Sequence, residues 1–228
     1  MLDTFNRVFI ANDMYKVYLL GLKNTLYIAV GACILGFVIG AAIAFVRIAP
    51  KNNIVIKILE PIAKLYVTII RGTPVVLQLL IIYFVILKSL NYIWGGVFVG
   101  IVTFGINSGA YMSEILRAGL NAVDKGQMEA GRSLGFTWGQ TMWRIILPQG
   151  IKNALPTMFN EFIMLLKETS VAGYIAIIDL VKASRMVTSQ TMEVFGPLLI
   201  VAVIYLVMVL GLQRVHRILE RRMGKGDR

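Results

Sequence analysis

The chain has 228 residues, 57% hydrophobic and 15% charged, with 23 Lys and Arg against 12 Asp and Glu. Soluble domains carry roughly 25% charged residues, so this composition excludes an ordinary water-soluble fold, in keeping with a mean hydropathy of +0.75. The net charge of +11 does not mark a nucleic-acid binder, because the cations sit between long apolar runs and not along a polar face; one cysteine and one histidine, Cys33 and His216, leave neither a disulfide framework nor a metal or Ser-His-Asp cluster.

The first twenty residues carry no diagnostic pattern. The apolar run that follows is too long for a signal-peptide core and lacks a small-residue cleavage site, so it is expected to stay in the mature protein. Crossing a bilayer of ~30 Å takes about 20 helical residues. Three charge-free stretches meet that length: Asn24 to Val46, Ser89 to Ser113 and Val194 to Gln213. Two more carry charge inside: Ile54 to Leu87, with Lys57, Glu60, Lys64 and Arg71, and Ala154 to Leu166, with Glu161. The reading is one all-α, polytopic membrane domain over residues 1–228, with five membrane-spanning helices at 19–47, 54–88, 89–116, 151–172 and 194–216. Spaced by four and seven residues, Glu60, Lys64 and Arg71 share one helix face that must avoid lipid.

Orientation follows from Lys and Arg, which concentrate on the cytoplasmic side. An N-terminus outside places sixteen of the 23 inside, including Arg117, Lys125, Arg132 and Arg144 and the cluster from Arg214 to Arg228. The predicted C-terminus is therefore cytoplasmic.

Residues 117–150 are too polar to span, yet not disordered in composition. Gln127 to Leu134 reads as a short helix ended by Gly135 in the left-handed position. Thr137 opens a second helix with Gln140 as its capping-box partner, and Pro148 is expected to stop it. Trp138, Met142 and Ile145 give that helix an apolar edge, so the pair looks built for docking.

Glu129-Ala130-Gly131, then Gly135, Ile145 and Leu147-Pro148 at their observed spacing, resemble the Glu-Ala-Ala loop of ABC importer permeases, with Gly131 standing where the pattern has Ala. Arg71-Gly72-Thr73-Pro74 with Gln78, Asn107-Ser108-Gly109-Ala110-Tyr111 with Glu114 and Arg117, and Asn160-Glu161-Phe162 are similar to the polar amino acid branch, the histidine and glutamine type permeases. The resemblance runs from about Gly21 to the end of the chain. It implies the fold of a type I ABC importer permease with a cytoplasmic coupling helix, in the inner membrane. It also implies a second permease subunit, in a homodimer or heterodimer, two ATPase subunits that bind ATP and Mg, and an extracytoplasmic substrate-binding protein. The chain itself has no Gly-x-x-x-x-Gly-Lys-Ser/Thr loop to cradle phosphates and no cofactor site of its own, so it is expected to be a transport subunit and not an enzyme.

The resemblance assigns ATPase coupling to Glu129, Ala130, Gly131, Gly135, Trp138, Ile145, Leu147 and Pro148, and the substrate pathway to Gly72, Thr73, Pro74, Gln78, Asn107, Ser108, Tyr111, Asn160 and Glu161. Pro74 either kinks the helix, with Gly72 allowing close packing, or frees a carbonyl toward the pathway. Glu161 either pairs with Arg71 or Arg117 or holds a substrate ammonium group. A secondary transporter or channel is the alternative, and it would need neither an ATPase nor the loop.

Overall fold

The computed structural model describes residues 9–10 and 13–224, and among these every regular element is helical. Helix α1 spans Met14–Ile48 and is apolar on all sides, as expected of a span surrounded by lipid and other helices. Its buried positions, Gly21, Thr25, Ala32, Gly36, Gly40 and Ala44 among them, recur every three or four residues and are mostly small. Of these, Gly36, Gly40 and Ala44 face α4, Lys88–Asn121, while Gly21 packs on the Asp179 backbone. A Cβ on Gly40 would lie 2.6 Å from that of Met112, so the two backbones approach as only glycine permits. Lipid tails are as apolar as leucine, so helices in a bilayer associate by close packing of this kind.

Among the described residues three helical stretches are long and apolar enough to cross a membrane: Met14–Ile48, Gly95–Asn121 and Phe195–Arg221. The expected span 54–88 is instead two helices, α2 (Ile54–Gly72) and α3 (Val75–Ile81, prolonged by a wide turn Ile82–Ile86), bent by 109° at Thr73-Pro74. The proline lacks an N–H and its ring crowds the preceding turn. The stretch expected at 89–116 is interrupted at Gly95, with φ 77° and ψ 164°, and then runs to Asn121. The one expected at 151–172 is α7, Leu147–Glu168, followed by a 3-10 turn Thr169–Ile175. With Lys152, Asn153, Asn160 and Glu161 along it, α7 is not among the three membrane-length apolar stretches. The last is α9, Phe195–Gly224.

Pro148 does not stop the second helix of the loop. Helix α6, Trp138–Thr141, passes through a π turn, Met142–Ile146, straight into α7. The Leu147 N–H donates five residues back to the Met142 carbonyl, and Pro148 stands in the first turn of α7. A proline is tolerated at the start of a helix, and the wide turn shifts the hydrogen-bond register there.

Sequence periodicity over 167–193 also holds an element not anticipated above. Helix α8, Leu180–Thr191, buries Leu180, Ala183, Ser184 and Val187 against Met14 and Tyr18 of α1 and Val201 of α9. A second apolar cluster, with Ile28, Leu79, Phe104, Leu165 and Ile175, ties α1, α3, α4 and α7 together. A third, with Ala44, Met112, Leu116 and Ala154, closes the opposite end.

Candidate functional site

The break between α2 and α3 is held by one side chain. Pro74 has no N–H to offer the Ile70 carbonyl four residues back. The Gln78 amide supplies the missing donor at 2.7 Å and also reaches the Thr73 carbonyl at 3.1 Å and Thr73 Oγ1 at 2.8 Å. Thr73 Oγ1 donates in turn to the Ile69 carbonyl at 2.9 Å. The carbonyl freed by Pro74 is thus turned inward to Gln78. Gly72 has open space where a Cβ would stand, so no described residue of this chain packs closely against it.

Gln78 carries the line onward, because its Oε1 accepts from Asn107 Nδ2 at 2.9 Å. Both side chains are buried. One residue along α4, Ser108 Oγ donates to Glu161 Oε1 at 3.2 Å. Helices α3, α4 and α7 therefore contribute one polar group each or more to the bundle interior. Asn160 is exposed and stands beside that line without a described partner inside the chain.

Among the described residues neither expected cation makes a salt bridge or hydrogen bond with Glu161, although Arg71 lies near enough to act on it through space. The Arg71 guanidinium sits 5.2 Å from the centre of the Tyr111 ring, a cation–π distance. Arg117 grips Glu114 at 2.8 Å through Nη2 and 3.1 Å through Nε, and Arg47 from the end of α1 donates to the other oxygen of the same carboxylate. Arg71, Glu114, Asn153 and Thr157 line, together with Ile115, Ala118 and Ala154, a cavity of about 430 Å³. The charged stripe on α2 resolves into a local cluster: Glu60 is bridged by Lys51 at 2.7 Å and Lys64 at 2.8 Å.

At the other end of α4 lies the loop pair. Asp124 caps α5, Lys125–Ser133, through the Gly126 N–H at 2.6 Å. The helix ends in a double turn-back: Gly135, at φ 85°, donates to the Arg132 carbonyl at 3.0 Å, and Phe136 to the Gly131 carbonyl at 3.1 Å. This is the Schellman pattern, which calls for a left-handed residue at its centre. Thr137 and Gln140 then form the expected capping box. A Cβ on Gly131 would lie 2.5 Å from Thr141 Cγ2, so glycine in place of the pattern's alanine matches a buried threonine on the facing helix. Trp138, Met142 and Leu147 line an apolar cavity of about 400 Å³ with Phe37, Phe45 and Leu116. Ile145 is half-buried and Pro148 exposed. Glu129 and Ala130 face outward, as do Leu134 at 76% and Trp143 at 68% exposure. Leu134 and Trp143 thus leave large apolar surface uncovered on a polar, capped hairpin.

One buried acid escaped the sequence reading. Asp179 caps α8 through the Lys182 N–H at 2.6 Å, and its Oδ2 is buried without a partner. Burial pushes its carboxyl above the usual range, partly offset by backbone N–H donors. Around it, Asn24 donates to the Ile178 carbonyl at 2.9 Å and Thr25 Oγ accepts from the Leu180 N–H at 3.4 Å. The Asp before Leu180, Ala183, Ser184 and Val187 was the available signal.

A bundle of membrane-length helices with a line of buried polar groups and a rigid, partner-seeking hairpin at one end is built as the membrane subunit of a transport machine. The chain belongs to the family described as binding-protein-dependent transport system inner membrane component, whose model matches residues 36–225. It is thus a permease subunit of an ABC transporter, a multi-pass component of the inner membrane and not an enzyme. It is 39% identical over 203 residues to the putative glutamine transport system permease protein GlnP of Rickettsia prowazekii (strain Madrid E), covering 89% of this chain and 91% of that one. It is 36% identical to the arginine transport system permease protein ArtQ of Bacillus subtilis (strain 168), covering 91% and 92%. A solved structure titled as an amino acid ABC transporter with histidines superposes with a TM-score of 0.82 at 38% identity, covering 91% of this chain and 94% of that one. The inward-facing MetNI methionine ABC transporter gives 0.78 at 19% identity and shows the shared fold alone.

Proposed function

We propose that this chain forms, with a second permease subunit, a path through the inner membrane for a polar amino acid, opened alternately to either side by two ATPase subunits that bind ATP and Mg. A substrate-binding protein on the outer side delivers the solute. In this reading α7 completes a set of five spans, α2 with α3 counting as one, and the N-terminus lies outside and the C-terminus in the cytoplasm. The ATPases grip the hairpin from Glu129 to Pro148, and its continuity through the π turn into α7 lets movement of the hairpin reach Glu161. The names of the relatives support an amino acid cargo.

The observation that carries the reading is Glu161, a carboxylate inside the bundle that is hydrogen-bonded by Ser108 while the neighbouring arginines are engaged elsewhere. An acid at that depth persists beside a cation, and the ammonium group of an amino acid supplies one. The line of Gln78, Asn107 and Ser108 offers donors and acceptors for the rest of the solute. Glu161→Gln keeps shape and hydrogen bonding but removes the charge. Uptake of radiolabelled amino acids by the reconstituted complex should fall, while melting temperature and ATPase assembly stay near those of the unaltered protein. Undiminished uptake would reject the ligand role, and a collapsed melting temperature would assign Glu161 to the scaffold.

A further inference from the structure

The last turns of α9 carry a charged face that, beyond its weight in the topology, neither the polar line nor the hairpin uses. Arg214, Arg217 and Arg221 recur at i, i+3 and i+7, on one side of the helix. With Ile218 they line a cavity of about 130 Å³. All three are exposed, and among the described residues no ion pair or hydrogen bond engages any of them. Glu220 does not neutralise them. It lies about 60° around the helix from Arg217 and about 100° or more from the other two, and its described ion-pair partner is His216 at 3.6 Å, whose ring stacks on Phe159 with centroids 5.2 Å apart. Three guanidinium groups converging on so small a space repel one another until an anion joins them.

Position identifies the anion. Of the three membrane-length stretches α9 is the least covered by protein, with 11% of its apolar window buried against 33% and 56% for the others. Its sides are therefore left uncovered by the rest of this chain. Arg214 follows the exposed Leu210 by four residues, or about 6 Å. The headgroup layer reaches roughly 5–8 Å beyond the hydrocarbon core. Helical side chains lean toward the N-terminus, so Arg217 and Arg221 reach back toward the same layer. Val215, Ile218 and Leu219, all more than 40% exposed, extend the apolar surface beside them. We propose that this arginine face binds the phosphate headgroup of an anionic phospholipid and anchors the end of α9 to the membrane surface. The inference requires only that α9 crosses a bilayer, so it stands or falls apart from the amino acid reading and from which leaflet the face meets.

The test uses the full-length chain in phosphatidylcholine vesicles with a trace of spin-labelled phosphatidylglycerol or spin-labelled phosphatidylcholine, the motionally restricted fraction being read by electron paramagnetic resonance. The unaltered protein should prefer phosphatidylglycerol, and added salt should weaken that preference. Each basic residue near an anionic surface contributes about fivefold at most, so R214Q/R217Q/R221Q should lose the preference severalfold, while R214K/R217K/R221K keeps most of it. Should the glutamine variant fail to insert, the salt dependence of the unaltered protein and the lysine variant still decide. Absence of a preference, indifference to salt, or a preference surviving the glutamine substitutions would each overturn the proposal. So would an unchanged lipid preference accompanied by loss of ATPase or second-copy association, which would make the face a protein contact.

Discussion

Replacing Gln78 by Met removes three donations and one acceptance while keeping the length of the side chain. The Ile70 carbonyl, already deprived of a backbone donor by Pro74, then has no partner, and neither does the Asn107 amide that pointed at Gln78 Oε1. Each buried polar group left unsatisfied costs about 1–3 kcal/mol, so the pair should cost about 2–6 kcal/mol. At about 2–4 °C per kcal/mol for a chain of this size, the melting temperature of the purified subunit should fall by about 4 °C at least. Asn107→Leu should also destabilise, by orphaning Gln78 Oε1. The double variant should cost less than the sum, by about 0.5–3 kcal/mol, because both ends of one bond are then gone. Thermal melts of the three proteins provide the cycle. If Gln78→Met melts with the unaltered protein, or if the two losses simply add, the latch at the helix break is not what holds it.

The remaining expectations concern the loop, the topology and the buried acid. Gly135→Val forces a β-branched residue to φ 85°, a strain of about 1–3 kcal/mol; the subunit should still insert, but ATP-driven uptake should drop, and normal uptake in vesicles would show the turn to be dispensable. Gly131→Ala should loosen the contact of α5 with Thr141, and Thr141→Ser, which removes Cγ2, should restore part of the lost ATPase association; equal association in all three proteins would refute the fit. A single cysteine at Lys125, in a chain whose Cys33 has been replaced, should resist an impermeant thiol reagent applied to intact cells, and labelling from outside would invert the topology. Asp179, whose carboxyl is held above its ordinary pKa by burial, favours folding most at low pH, and that contribution is lost as pH rises through the raised value. Asp179→Asn keeps the cap and should therefore melt no lower than the unaltered protein near neutral pH, with a flatter pH profile on the acidic side; a marked loss of stability at neutral pH would mean that the charge is needed.

Much of the helical architecture was legible because the signals were local. Uniform apolarity located α1 and α9, and Gly135, Thr137 and Gln140 announced the hairpin through cap chemistry that depends on a few adjacent residues. What failed were joints between helices. Pro74 and Pro148 look alike in sequence. One ends a helix in a 109° bend and the other rides through a π turn, a difference set by tertiary partners. Gln78 waits across the first break, and the second lies where α7 must continue to keep Ala154, Ile163 and Leu165 buried.

The interior site follows the same division. Residue types at Gln78, Asn107, Ser108 and Glu161 were readable as polar groups that a membrane helix would carry only for a reason, but their pairing was not, because it depends on which helix faces which. Arg71 and Arg117 were reasonable partners for Glu161 by charge alone. The structure engages one with Tyr111 and the other with Glu114. That allocation matters chemically. Had an arginine been committed to Glu161, a cationic group arriving through the bundle would have had to displace it, at the cost of a buried unpaired charge. Among the described residues Ser108 is the hydrogen-bond partner of that carboxylate, so on the proposed reading it accepts a cation without first giving one up.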